Sequence, residues 1–590
     1  MCGRPMCLQP KTRSDGWTAS HAAVCLPLRA FLGVWMAWAA TAVAPSEVLA
    51  EAATGKHAMI ATSHPLATEA GLEVFRRGGN AIDAAVAAAL TLGVVDTHNS
   101  GLGGGCFVLL RLADGRLVAI DGRETAPAAA RREMYLREGK PDTQLSQAGP
   151  LAVAVPGALA AYAVAIDEYG RRTLADLLLP AADTAAAGFP IDKVYARKLA
   201  AAAEKLRQDQ GARAALLRQD GSPYQAGELF KQPDLAVTYR AIAQHGTDWF
   251  YRGPFADKVG RWMAHNGGIL TEADFASYEP QYREPLVSQY RDYTIIGFPP
   301  SSSGGVHVAQ ILNILEQFDL GSMYRRDPAQ AYHVMAEAMK LAFADRAYWL
   351  GDPEFAAVPR GLVDRAYARQ LAMRIQLDRA SAVPTHGEPP NSQTDLFGRH
   401  TTHIAAADAE GNWVAITATI NTSFGSKVIV PGTGVLLNNE MDDFSIAPGT
   451  PNHFGLIGAE SNAIEPHKRP LSSMSPTIVL GKQGKPVLTL GAAGGPRIIS
   501  QVVLTIVNYL DFGMDLPNAV AAPRFHHQWS PDEIQAEKTL SDEIIGAFRQ
   551  RGHTVTTADQ AGVTQAIART KDGLFVGVCD PRNDGDAAGY

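Results

Sequence analysis

The sequence is poor in cysteine. Of five in 590 residues, Cys2, Cys7 and Cys25 fall within the first 25 positions, which leaves only Cys106 and Cys579 for the rest of the chain. A disulfide-stapled scaffold and a thiolate metal cluster are thereby excluded. Each of the two lies in an apolar, strand-like run and reads as a small buried residue; one disulfide between them is the alternative. Long basic runs are missing as well. Lys and Arg number 53 against 60 Asp and Glu, a formal net charge of −7, and this balance argues against nucleic acid as a partner. No internal repeat stands out.

Several common chemical motifs are also absent. Ser100-Gly101-Leu102-Gly103-Gly104-Gly105 is glycine-rich, yet no P-loop Lys-Ser/Thr follows and Phe107-Val108-Leu109-Leu110 reads as a strand. The loop therefore serves close backbone approach rather than phosphate binding. The stretch 299–305 holds no Gly-x-Ser-x-Gly elbow and reads as a loop feeding a helix from Val306. His333 and Glu337 stand one turn apart on a helix, but no second His-x-x-x-His pair or cysteine cluster completes a metal site, so a hydrogen bond is the better reading. Glu440, Asp442 and Asp443 lie within four residues without EF-hand spacing. No metal and no other cofactor is expected.

The chain opens with an export pattern. Lys11, Arg13 and Arg29 precede an apolar run at 30–40, and Val48-Leu49-Ala50 offers a small-residue cleavage site. Residues 1–50 read as a leader, and the product as exported, periplasmic or secreted. The run is too short to span a membrane comfortably, so no stable span is expected once the leader is removed; a retained anchor is the alternative.

Beyond it, residues 68–77 carry helical periodicity ended by Gly78-Gly79, and Asn80 with Asp83 caps an Ala-rich helix. Leu117-Val118-Ala119-Ile120 is a strand ending at Arg123. Residues 156–264 are mostly helical scaffold. Asp327-Pro328 starts a long helix. Residues 379–398, rich in Pro, Ser, Thr, Asn and Gln, read as a mobile linker.

That linker leads to Arg399-His400-Thr401-Thr402-His403-Ile404, where apolar and polar residues begin to alternate with strand period. Trp413-Val414-Ala415-Ile416-Thr417-Ala418-Thr419 follows, after a turn with Gly411 at its left-handed position. With a loop at Ala409, Glu410 and Gly411, Asp408 faces Asn412 and Thr401 faces Thr419, with Asn421 on the same face. A threonine hydroxyl is a poor nucleophile without a base beside it. A threonine at a chain start carries one, an α-amine of pKa roughly 7.7–8. Thr401 is internal, so the His400–Thr401 bond would first have to be cut; the plainer reading is an exposed strand start.

Four motifs decide between the two. His400-Thr401-Thr402-His403, Asn421-Thr422-Ser423-Phe424-Gly425, Leu437-Asn438-Asn439-Glu440-Met441-Asp442-Asp443-Phe444 and Lys468-Arg469-Pro470-Leu471-Ser472-Ser473-Met474-Ser475-Pro476 together resemble the motif set of γ-glutamyltranspeptidases, over about residues 58–590. The resemblance implies an α+β fold, a four-layer αββα sandwich of the N-terminal-nucleophile hydrolase type. It implies one precursor that cleaves itself into a large segment, 51–400, and a small catalytic one, 401–590, which stay together as a heterodimer. The implied reaction moves the γ-glutamyl group of glutathione or a related compound to water, an amino acid or a peptide. Thr401 is then the nucleophile, Thr419 and Asn421 orient it and the substrate, and Gly494 and Gly495 supply the oxyanion hole. Arg123, Ser472 and Ser473 take the donor α-carboxylate, and Asp443 with Glu440 its α-ammonium. Residues 448–470 resemble the lid loop of some members, with Phe454 where those often carry an aromatic hydroxyl. Ala492-Ala493 stands where several members have Ser-Pro. A cephalosporin (glutaryl) acylase of the same superfamily and an unprocessed, inactive binding homologue are the competing readings.

Overall fold

Two β-sheets face one another, and each draws strands from both sides of residue 400. The computed structural model describes residues 50–397 and 407–590; the leader and the His400–Thr401 bond lie outside them. The larger sheet has seven strands, in spatial order Ala52–Gly55, Phe575–Cys579, Val563–Arg569, Pro486–Ala493, Thr477–Leu480, Tyr293–Gly297 and Leu286–Tyr290. The facing sheet runs Trp413–Thr419, Gly105–Arg111, Leu117–Gly122 and Gln281–Arg283. All these pairings are antiparallel. Helices Ala81–Val95 and Ala158–Tyr169 pack on the outer side of the four-stranded sheet, and Gly304–Leu315 and Arg497–Leu510 on that of the seven-stranded one. The result is the four-layer αββα sandwich of an N-terminal-nucleophile hydrolase.

Strands buried on both faces read as apolar runs rather than alternating ones, and Cys106-Phe107-Val108-Leu109-Leu110 is such a run, each residue 0% exposed. Cys106 and Cys579 are both free and buried. Asn80 and Asp83 form the expected capping box. Asp327 caps the helix Pro328–Trp349, accepting from Gln330 N–H, with Pro328 in its first turn. On that helix His333 is a core residue: its Nδ1 lies 2.8 Å from His553 Nε2. Residues 379–397 carry no helix or ladder strand, as expected of a linker. They are nonetheless tied down: Ser381 N–H donates to Glu337 (2.8 Å), Gly387 N–H to Asp345 (2.6 Å), and the Trp529 indole to the Val383 carbonyl (2.7 Å).

The turn after residue 407 has the expected form. Asp408 N–H donates to the Asn412 carbonyl (2.8 Å), and Gly411 has φ 102°. Asp408 Oδ1 accepts from the backbone N–H groups of Glu410, Gly411 and Asn412. The opposite edge of Ala407–Asp408 pairs with Met59 and Ala58, joining a three-stranded sheet with Asp586–Gly589. The pairing of Thr401 with Thr419 falls outside the described residues.

The glycine-rich loop works by contact. A Cβ on Gly104 would lie 1.9 Å from the Thr419 carbonyl oxygen, and one on Gly103 2.1 Å from that of Leu436. Both clashes are with backbone, which cannot rotate away. Gly104→Ala should therefore lower stability by about 1–3 kcal/mol and displace the end of the Trp413–Thr419 strand. Gly546 sits inside the helix Asp542–Gln550, and a Cβ added to it would meet nothing within 4 Å, so Gly546→Ala should stabilise by about 0.5–1 kcal/mol. Thermal unfolding of the two variants checks this; a Gly104→Ala protein as stable as wild type would contradict the packing.

Candidate active site

At the end of Trp413–Thr419, the Gly105 side of the ladder meets Thr419 as the last pair. There the Thr419 hydroxyl oxygen accepts the Asn421 N–H at 2.7 Å, and its own proton has no acceptor among the described residues. Asn421 has φ 73°, a left-handed conformation that asparagine tolerates better than most residues. Its Nδ2 donates to the Asn439 carbonyl (3.0 Å), while Thr422 N–H donates to Asn439 Oδ1 (3.1 Å). The 419–422 loop is thus fastened to the segment that carries the acidic motif.

That segment folds into a 3-10 turn, Glu440–Asp443, and its three acids divide. Glu440 and Asp443 turn to Arg123, which is 1% exposed. Nη1 of Arg123 bonds Glu440 Oε1, Nη2 bonds Asp443 Oδ2 at 2.6 Å, and Nε donates to the Pro470 carbonyl at 3.0 Å. Asp442 turns away, accepting from Ser146 Oγ (2.6 Å) and from His453 N–H (2.8 Å). Burial pushes its carboxyl up to about 6.

Glu124 lies behind Arg123, its Oε2 3.6 Å from Nη1, fully buried and with neither oxygen hydrogen-bonded among the described residues. It fills the space that a side chain at Gly105 would need, since a Cβ there would come within 2.3 Å of it. Burial foremost raises Glu124 to about 8, against the pull of Arg123. Burial also holds Glu440 above the usual carboxylate range, with Glu124 and Asp443 adding to the shift against the pull of Arg123. Burial thus favours the protonated forms of Glu124 and Glu440 beside the guanidinium.

Ser472 and Ser473 approach from the other side. Ser472 Oγ accepts from Met474 N–H (3.1 Å), and Ser473 Oγ accepts from Arg346 Nη2 (3.0 Å). The loop at 301–303, read from sequence only as a helix lead-in, clamps this pair: Ser303 N–H and Oγ both donate to the Ser472 carbonyl (2.8 and 2.7 Å), and Ser302 Oγ to that of Met474 (2.7 Å). Gly494 (φ 143°) and Gly495 (φ 60°) form the turn before the helix Arg497–Leu510. Neither N–H has a backbone or side-chain acceptor among the described residues. The Phe454 ring packs over Gly495, where a Cβ would lie 2.6 Å from its Cδ1.

Most of the groups predicted from sequence line one cavity of about 570 Å³. Arg123, Thr419, Asn421, Glu440, Asp443, Ser472, Ser473, Gly494 and Gly495 are all on its wall; Thr401 lies outside the described residues. Sequence reasoning missed Arg346, a lone arginine near the end of a helix with no motif around it, and Glu124, whose position beside Arg123 was the only signal.

A family model described as gamma-glutamyltranspeptidase matches residues 67–590. The chain belongs to the gamma-glutamyltranspeptidase family. It is 41% identical over 538 residues to the glutathione hydrolase proenzyme of Escherichia coli (strain K12), covering 91% of this chain and 92% of that protein. It is 40% identical over 543 residues to the acylase ACY 1 proenzyme of Pseudomonas sp. (strain SE83), covering 90% and 93%. Among solved structures, cephalosporin acylase from Bacillus halodurans superposes with a TM-score of 0.80 at 31% identity, over 92% of this chain and 97% of that one.

The raised Glu124 carboxyl has a consequence for this family member. A carboxyl whose folded pKa is raised stabilises the fold fully below its unfolded value, and that contribution is lost as pH rises through the folded one. Glu124 should thus lower stability progressively between about pH 4.5 and about pH 8. Glu124→Gln should match wild type in melting temperature near pH 5 and exceed it near pH 8. Parallel melting curves across that range would place the proton elsewhere.

Proposed function

We propose that Thr401, freed by cleavage of the His400–Thr401 bond, carries out γ-glutamyl transfer in this cavity. The enzyme is a γ-glutamyltransferase and glutathione hydrolase. Its substrates would be glutathione and its conjugates, with water, an amino acid or a peptide as acceptor. The observation that carries the reading is charge placement. One end of the cavity brings together a guanidinium, two carboxylates and two serine hydroxyls, the partners needed by an α-carbon bearing both a carboxylate and an ammonium. Another part of the same wall has the two glycine N–H groups.

In the proposed chemistry, Thr401 Oγ attacks the γ-carbonyl carbon and its proton passes to the Thr401 α-amine. The Gly494 and Gly495 N–H groups hold the oxyanion. The tetrahedral species expels the amine, which takes that proton, and leaves a γ-glutamyl ester on Oγ. Water or an acceptor amine then attacks the ester and restores Thr401. Thr419 would orient the attacking group through its hydroxyl proton. Chain length supports this assignment: Thr401 lies six residues before Ala407, a reach of about 20 Å when extended. That is also about the length of the seven-residue strand Trp413–Thr419, whose outer edge has no ladder partner among the described residues.

The proposed product is exported and consists of segments 51–400 and 401–590 as a heterodimer. Both sheets draw strands from each segment, which would keep them together without a covalent link. Among the described residues no helix is long and apolar enough to cross a membrane.

The likeness to acylases makes glutaryl transfer the reading to separate. A glutaryl donor lacks the α-ammonium, so Asp443 has no charge to pair. Removing one partner of a desolvated charge pair costs about 2–5 kcal/mol, or roughly 30- to 4,000-fold. Asp443→Ala should lose that much kcat/KM on a γ-glutamyl anilide and far less on the glutaryl anilide. A wild type that prefers the glutaryl compound, or a variant that loses both activities equally, would give the acylase reading the stronger claim.

A further inference from the structure

The loop that resembles a lid reaches the cavity through His453, Phe454 and Leu456. What places those three is Asn452, which is half-buried and is not on that wall. Its side-chain oxygen accepts two backbone N–H groups of the loop, that of Phe454 at 3.0 Å and that of Leu456 at 3.1 Å. Its backbone closes the same turn: Asn452 N–H donates to the Leu456 carbonyl (3.0 Å), and Gly455 N–H to the Asn452 carbonyl (2.9 Å). Gly455 supplies the left-handed corner, with φ 75°. The turn built this way presents the Phe454 ring to Gly495.

The other end of the same amide faces the acidic motif. Two N–H groups occupy its oxygen, so its nitrogen must point the other way. That nitrogen donates to Asp443 Oδ1 at 3.3 Å. Arg123 Nη2 holds Asp443 Oδ2 at 2.6 Å, so the carboxylate is gripped at both oxygens and its rotation is fixed. The two grips differ in kind. The guanidinium offsets charge, whereas the neutral amide adds none and leaves each carboxylate oxygen a further lone pair for an ammonium. A flipped amide would set its oxygen against a carboxylate oxygen. The loop turn and the aim of Asp443 therefore share one side-chain orientation.

Consecutive residues of the loop are tied to consecutive acids, since His453 N–H donates to Asp442 Oδ2 at 2.8 Å. Against the 525–529 segment the Phe454 backbone has one longer bond, from Gln528 Nε2 to its carbonyl at 3.3 Å. The loop is thus fastened chiefly to the acidic turn.

We propose that Asn452 is a positioning residue that couples recognition of the donor α-ammonium to placement of the loop: the amide that aims Asp443 also sets Phe454 over Gly495. The proposal rests on the γ-glutamyl reading given above and adds a residue to it. An ammonium that fixes Asp443 tightens the loop over the glycine pair, and by linkage a loop held in place favours donor binding to the same extent.

The test follows hydrogen exchange of the 448–458 backbone in the purified enzyme. Exchange is measured alone, with L-glutamate, and with glutarate, which lacks the α-ammonium, each ligand at a concentration that fully inhibits turnover. L-Glutamate should slow exchange in this stretch and glutarate should not. Asn452→Ser keeps an acceptor for the loop N–H groups but has no donor long enough to reach Asp443. In that variant saturating L-glutamate should leave exchange unchanged. Its KM for a γ-glutamyl anilide should rise about 10-fold, the worth of one hydrogen bond to a charged group, with kcat and the glutaryl anilide little changed. Asn452→Ala, which loses the turn as well, should add a fall in kcat on both donors. Equal slowing by L-glutamate and glutarate in wild type, a comparison that needs no variant to fold, would overturn the coupling and leave the γ-glutamyl reading standing. So would a γ-glutamyl KM unchanged in both variants. A wild type that prefers the glutaryl anilide would overturn both.

Discussion

One end of this cavity depends on one buried guanidinium. Arg123 belongs to the chain before residue 400, and it grips Glu440 and Asp443 from the chain after it. Breaking such a buried pair by removing one partner costs about 3–5 kcal/mol, because the abandoned charge stays buried. The clasp is therefore both a fastening between the two segments and the device that aims two carboxylates into the cavity. Burial holds Glu124 and Glu440 toward their protonated forms beside it, which limits the excess of negative charge around the guanidinium.

The elements around the clasp are held by close backbone contacts and by side-chain hydrogen bonds. Gly103 and Gly104 let the loop after the Ala81–Val95 helix press against the carbonyls of Leu436 and Thr419, which fixes the end of the strand carrying Thr419. Asn439 ties the 419–422 loop to the acidic turn through its carbonyl and its side chain. The serine clamp at 301–303 sets the height of Ser472 and Ser473. Both sheets end at this one place, so groups from distant parts of the chain converge without any one segment containing the site.

Local features were legible in the sequence because their causes are local. The Asn80–Asp83 capping box, the Asp327-Pro328 helix start, the Asp408–Asn412 turn and the buried strand at 106–110 each follow from residues within a few positions of one another. The motif resemblance identified nine groups that line one cavity, but it could not say how they are wired. Arg123, assigned to the donor carboxylate from the resemblance, is paired with the protein's own carboxylates, a contact spanning more than 300 residues. Arg346 and Ser303 left no pattern at all, since an arginine on a helix and a serine in a loop become informative only when Ser473 is placed between them and the cavity. The linker before residue 400 read as mobile from composition, which is blind to the three hydrogen bonds that tie it to Glu337, Asp345 and Trp529.

The account turns on an internal threonine becoming a chain start while two segments remain one folded particle. Mass measurement of the purified active protein tests this most directly, first under native and then under denaturing conditions. The account predicts a single native particle that separates on denaturation into two polypeptides, the smaller beginning at Thr401. One uncut polypeptide that turns over a γ-glutamyl anilide at full rate would contradict it.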